Sequence, residues 1–126
     1  MSYAPLGHLR LSVSDFEKSR QFYDELLGKL GFKKVSENGW ATKDGLGIWL
    51  IEANPKTPAY VWGTPGLHHL CLKAESPEAV DQLHQFLVSA GVPIFATPQR
   101  YPQYTDEYYA VFFADPDGIQ LEVAYY

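Results

Sequence analysis

Three residues of this chain have side chains suited to a divalent cation, and the two histidines among them hold corresponding positions: His8, His69 and Glu122. A neutral imidazole offers a nitrogen lone pair and a carboxylate offers anionic oxygen. Two of the first with one of the second leave a divalent ion net positive and with open coordination positions. His8 opens HLRLSV and His69 opens HLCLKA, two runs that alternate polar with apolar residues as half-buried strands do. Residues two apart in a strand share a face. Leu9, Leu11 and Val13 thus form a packing face that leaves His8, Arg10 and Ser12 opposite, and Leu70, Leu72 and Ala74 leave His69, Cys71 and Lys73. In the last run Ile119, Leu121 and Val123 leave Gln120, Glu122 and Ala124. An ordinary half-solvated sheet shows the same alternation and needs no ligand. What sets the two histidines apart is that they hold the same place in a repeat.

The repeat extends through the elements that must carry them. After each histidine strand comes a helix-start signal: Ser14 with Glu17 three residues on reads as a capping box, and Ser76-Pro77 as an N-cap followed by a favourable first helical residue. Phe16, Phe22, Tyr23, Leu26, Leu27 and Leu30 give the first helix one apolar stripe, and Val80, Leu83, Phe86 and Leu87 give the second another. Each ends at a glycine, Gly31 lying 23 residues after His8 and Gly91 lying 22 after His69. Strands are then expected near 32–37, 39–43 and 46–52, with turns at Asn38-Gly39 and Asp44-Gly45, and near 93–96, 108–114 and 119–125, the last two joined by DPDG. A segment rich in proline, 54–65, links the halves. Neither half can cover both its helix and its sheet alone. The expected fold is therefore α+β, a single domain over 1–126 made of two tandem βαβββ modules, about 1–54 and 66–126, whose eight strands form a curved sheet around a small-molecule cleft.

Composition narrows the function. The 126 residues are 46% hydrophobic, enough for one domain core, and the net charge of −5 is spread without a block of like charge. Nothing resembles a basic stripe with interleaved aromatics, so nucleic acid is not an expected partner. No run approaches the roughly 18 apolar residues needed to span a bilayer, and the N-terminal MSYAPLGHLR has no signal-like pattern, so a cytoplasmic protein is expected. The lone cysteine, Cys71, fits a reducing compartment and excludes cysteine-based zinc fingers. Aromatic residues reach 15%, with tyrosines crowded into the second half, a composition that suits ligand pockets and interfaces.

Four segments, HLRLSVSD at 8–15, LGKLGF ending the first helix, GLHHLCLKA at 66–74 and YYAVFFADPDGIQLEV at 108–123, resemble the vicinal oxygen chelate superfamily of glyoxalase I, bleomycin-resistance proteins, fosfomycin-resistance thiol transferases and extradiol dioxygenases. The most specific is DPDG followed four residues later by a carboxylate. The resemblance covers nearly the whole chain and is nearest to small lyase-like members. It implies that His8, His69 and Glu122 ligate one divalent metal ion (zinc, nickel, manganese, iron or cobalt), and that the ion polarises a substrate presenting neighbouring oxygens, with Glu122 assisting catalysis. It also implies a homodimer in which halves of two chains complete each cleft.

Glyoxalase I carries a fourth ligand on the last strand of the first half, where this chain reads GIWLIEA at 47–53 and aligns Trp49. Glu52 is the nearby carboxylate, with parity opposite to Trp49. Arg10 and Arg100 are candidates for an anionic substrate group, Trp49 for substrate contact, and Tyr104, Tyr108 and Tyr109 for the cleft wall or a proton donor. Cys71 is read as filling space, His68 as having the wrong parity for the cavity, and His84 as a helix-surface residue. The opposing functional reading is a metal-free binding protein similar to bleomycin-resistance proteins. An extradiol-type dioxygenase is a third.

Overall fold

The run opened by His8 forms β1 (His8–Val13), and its alternation is realised, with Leu11 and Val13 buried beneath a helix and His8, Arg10 and Ser12 exposed. The computed structural model describes residues 3–126 and resolves into two units, one ending at Ala59 and the other spanning Tyr60–Tyr126.

In the first unit β1 leads to α1 (Phe16–Lys29), then β2 (Lys33–Ser36), β3 (Gly39–Ala41) and β4 (Gly47–Glu52). The sheet order is β1-β4-β3-β2, with β1 and β4 parallel and the other pairs antiparallel. Tyr23, Leu26 and Leu27 of α1 meet Leu11, Val13, Ile48 and Leu50 in a core with Trp40, whose indole N–H donates to Asp24 at 2.9 Å. The helix is capped by Asp15, which accepts from the Lys18 amide at 3.2 Å, where the sequence pattern favours Ser14. Glu17, the other half of the expected capping box, is taken up by Arg20 at 2.9 Å. Both Ser14 and Asp15 can accept from an amide, and the deciding contact lies one residue later than the pattern suggests.

The second unit repeats this plan with β5 (Leu70–Lys73), α2 (Pro77–Ser89), β6 (Ile94–Arg100), β7 (Tyr109–Ala114) and β8 (Gln120–Tyr125) in the order β5-β8-β7-β6, with β5 and β8 parallel. Ser76 caps α2 as expected, accepting from the Ala79 amide at 3.1 Å. Val80, Leu83 and Leu87 pack on Val111, Phe113, Leu121 and Val123. Both helices run into a glycine with positive φ, Gly31 at +87° and Gly91 at +72°, a conformation that costs glycine little. The α+β class and the tandem βαβββ modules are as expected, and the eight strands are hydrogen-bonded as two sheets of four. The second strand of this unit, β6, runs on to Arg100 rather than stopping near 96, accommodating Pro98 through register shifts against β7. No helix among the described residues is long and apolar enough to cross a membrane.

Candidate functional site

The turn that sets Glu122 is built by Asp115. This buried residue accepts at Oδ1 from the amides of Asp117 and Ile119, both at 2.8 Å, and Gly118 completes the reversal at φ +83°. Four residues on, Glu122 is 3% exposed in β8, opposite Cys71 of β5 and Phe112 of β7. An acid so withdrawn from water needs strong partners. Oε1 lies 3.1 Å from His69 Nε2, and Oε2 accepts a hydrogen bond from the Tyr108 hydroxyl. Burial, and then that bond, hold the Tyr108 hydroxyl well above the ordinary tyrosine range, so it remains a donor.

His69 stands one residue before β5 yet keeps the orientation its repeat position implies. Its other nitrogen, Nδ1, is 2.8 Å from Nδ1 of His68. Strand parity predicts that His68 points away from the cavity, but His68 precedes the strand, so alternation does not govern it, and it lines the cleft beside Trp62. A cleft of about 510 Å³ opens over this group, with Trp62, Tyr104, Tyr108 and Phe112 as its aromatic walls and Gln120 beside Glu122. Its volume lies within the range that small-molecule sites occupy. Cys71 borders Glu122. Burial, reinforced by that carboxylate, pushes its thiol up to about 12, which makes it a space-filling thiol at neutral pH.

The other residues singled out by sequence fall in two groups. His8, Arg10 and Trp49 share one face of the first unit's sheet, where β1 and β4 pair His8 with Gly47 and Arg10 with Trp49. The Trp49 ring lies across Gly39 and Gly47, and a Cβ on Gly39 would stand 2.4 Å from it. Glu52 instead sits at the α1 N-terminus, 3.4 Å from the Phe16 amide and 3.7 Å from Lys56, on the side opposite Trp49. In the second unit Tyr104 lines the cleft and Tyr109 does not. The Tyr109 hydroxyl donates to Asp81 of α2 at 2.6 Å, on the helix side of the sheet, and its cross-strand partner Arg100 shares that side. Trp62 and Phe112 escaped sequence reasoning as lining residues. The former had only its aromatic character within the proline-rich link as a signal. Among the described residues no group of three His, Cys, Asp or Glu side chains stands ready to hold a metal ion. The second unit by itself supplies two donors, His69 and Glu122.

Residues 6–123 match the Glyoxalase/Bleomycin resistance protein/Dioxygenase superfamily, and the chain belongs to it. It is 33% identical over 125 residues to YqjT of Bacillus subtilis, an uncharacterized protein, covering 94% of this chain and 96% of that one. It is 32% identical over 120 residues to glutathione transferase FosA of Serratia marcescens, covering 94% and 78%. The crystal structure of a glyoxylase/bleomycin resistance protein/dioxygenase domain from Frankia sp. EAN1pec matches with a TM-score of 0.79 at 27% identity, covering 98% of each chain.

Proposed function

We propose that this protein is a metal-dependent glyoxalase-family enzyme, in which His8, His69 and Glu122 hold one divalent ion that receives a small molecule through neighbouring oxygens. The observation that carries the reading is the arrangement of four donor atoms in the second unit. His69 Nδ1 is engaged by His68 and Glu122 Oε2 by Tyr108, while the remaining atoms, Nε2 and Oε1, face each other at 3.1 Å. Outer partners that fix the orientation of a ligating imidazole and carboxylate in this way are a general feature of metal sites. A buried acid facing an imidazole is also a donor set that suits zinc, nickel, manganese, iron or cobalt.

An ion bound there supplies electrophilic stabilisation to a developing oxyanion. The chain's own residues do the rest. His68 and Tyr108 hold the ligands, the aromatic walls flank the bound molecule, and Glu122, with the Tyr108 proton at its far oxygen, handles the proton at the carbon beside the reacting oxygen. The third donor, His8, comes from the exposed sheet face of a first unit that also carries Arg10 and Trp49. We assign it to a second copy, making the active form a homodimer, and assign the protein to the cytoplasm. The name of FosA, a glutathione transferase, supports a reaction on a small molecule. The same aromatic walls also suit a metal-free binding protein, and metal dependence separates the two readings.

Protein purified without added metal is expected to melt at higher temperature when zinc, nickel or manganese is supplied. The stabilisation is about 2.7 kcal/mol at a hundredfold excess over Kd, and a chelator reverses it. Glu122→Ala loses the shift. A wild-type protein indifferent to all these ions and to the chelator contradicts the reading and leaves the metal-free alternative.

A further inference from the structure

Tyr108 carries the hydroxyl that occupies Glu122 Oε2, yet it stands one residue before β7 and is not held there by the sheet ladder. Its backbone closes a turn instead, the amide donating to the Thr105 carbonyl at 3.2 Å and the carbonyl accepting from the Tyr101 amide at 2.9 Å. Neither bond fixes where the ring points. A tyrosine side chain turns about two torsions, so a bond from its hydroxyl to a buried carboxylate needs other contacts to keep the ring on target.

Those contacts come from neighbouring rings. Tyr104 meets the Tyr108 ring at 5.1 Å and 68°, and Tyr101 meets it at 6.1 Å and 87°, both edge to face. Tyr126 lies parallel to it, with centroids 4.7 Å apart and 11° between planes. This placement follows from register. β7 and β8 pair Tyr109 with Tyr125, so one step further sets Tyr108 against Tyr126, and the alternation along β8 puts Tyr126 on the face of Glu122. Tyr126 is itself 48% exposed and lies past the end of β8, so burial does not fix it. Lys73 does. Its ammonium stands 4.1 Å from the Tyr126 ring centroid, reaching diagonally from a position paired with Ala124. A cation on β5 thus steadies a ring after β8, which steadies a ring before β7, whose hydroxyl orients the acid.

We infer that Tyr126, anchored by Lys73, is a positioning residue that keeps the Tyr108 hydroxyl on Glu122 Oε2. The consequence for an ion at Oε1 rests on the metal-centre reading, whereas the coupling between the two tyrosines does not.

Two measurements on the full-length protein test this. Denaturant unfolding of the metal-free wild type, Tyr108→Phe, Tyr126→Ala and the double variant gives the coupling between hydroxyl and ring. The factor by which Tyr108→Phe raises the unfolding equilibrium constant is expected to shrink by roughly threefold to tenfold once residue 126 is alanine. Tyr126→Phe keeps the ring and should keep the full factor, and Lys73→Met should reduce it part of the way. In zinc titrations Tyr126→Ala should lower affinity about threefold to tenfold, Tyr126→Phe should restore it, and Tyr126→Ala should cost nothing further in a Tyr108→Phe background. Additive effects on unfolding overturn the inference. So does coupling that leaves zinc affinity untouched, because the contact is then structural only. A wild type that binds no zinc defeats the metal reading, and the unfolding cycle then decides the inference by itself.

Discussion

At Glu122 the chemistry turns on which oxygen is occupied. Tyr108 takes Oε2 and leaves Oε1 toward His69, so the hydroxyl orients the acid rather than competing for its inner oxygen. Tyr108→Phe should therefore weaken metal affinity about 10- to 100-fold while the fold persists, as titration calorimetry would show. Tyr109, its neighbour in sequence, should behave differently. Tyr109→Phe removes only the bond to Asp81, lowers stability by at most about 1 kcal/mol and leaves metal affinity unchanged. That bond to Asp81 raises the Tyr109 pKa above its ordinary value of 10.0. The stabilisation is accordingly present in full below pH 10 and is lost as pH climbs through the raised value, so chemical unfolding of variant and wild type should differ at neutral pH and converge in strong alkali. Sequence parity could assign His8 and Glu122 to the polar faces of their strands because both lie inside strands. It could not do so for His68, which precedes β5, nor separate Tyr108 from Tyr109 before the start of β7 was known.

At the scale of elements, two local devices set the site. The first is the Asp115 turn, whose two amide bonds fix where β8 begins and hence where Glu122 falls. Asp115→Ala leaves those amides without their acceptor, and a loss of about 1–3 kcal/mol in denaturant unfolding is expected. The DPDG motif made this turn legible in the sequence, since its residues act locally. The second device was not legible. Gly39 and Gly47 read as a turn residue and a strand start, yet both clear space for the Trp49 ring on the His8 face. That role depends on a cross-strand register that no local pattern states. Gly39→Ala should cost about 1–3 kcal/mol, and the cost should shrink in a Trp49→Ala background, a non-additivity that a double-mutant cycle measures.

For the molecule as a whole, duplication is the organising fact. Each unit has the strand order and the parallel outer pair of the other, and the repeat of histidine, helix and glycine makes this legible in the sequence. Under the proposed metal site, the third donor is left to assembly. If His8 of one copy serves the His69–Glu122 pair of another, mixing His8→Ala with Glu122→Ala chains rebuilds one intact site in each mixed dimer, and zinc binding returns where each variant alone has none. The central claim, that His8, His69 and Glu122 hold one ion, is tested most directly by zinc stoichiometry from titration calorimetry on the wild type and on single alanine variants. About one zinc per chain is predicted for the wild type and for Glu52→Ala, and none for His8→Ala, His69→Ala or Glu122→Ala. Full stoichiometry retained in His8→Ala or Glu122→Ala would contradict it.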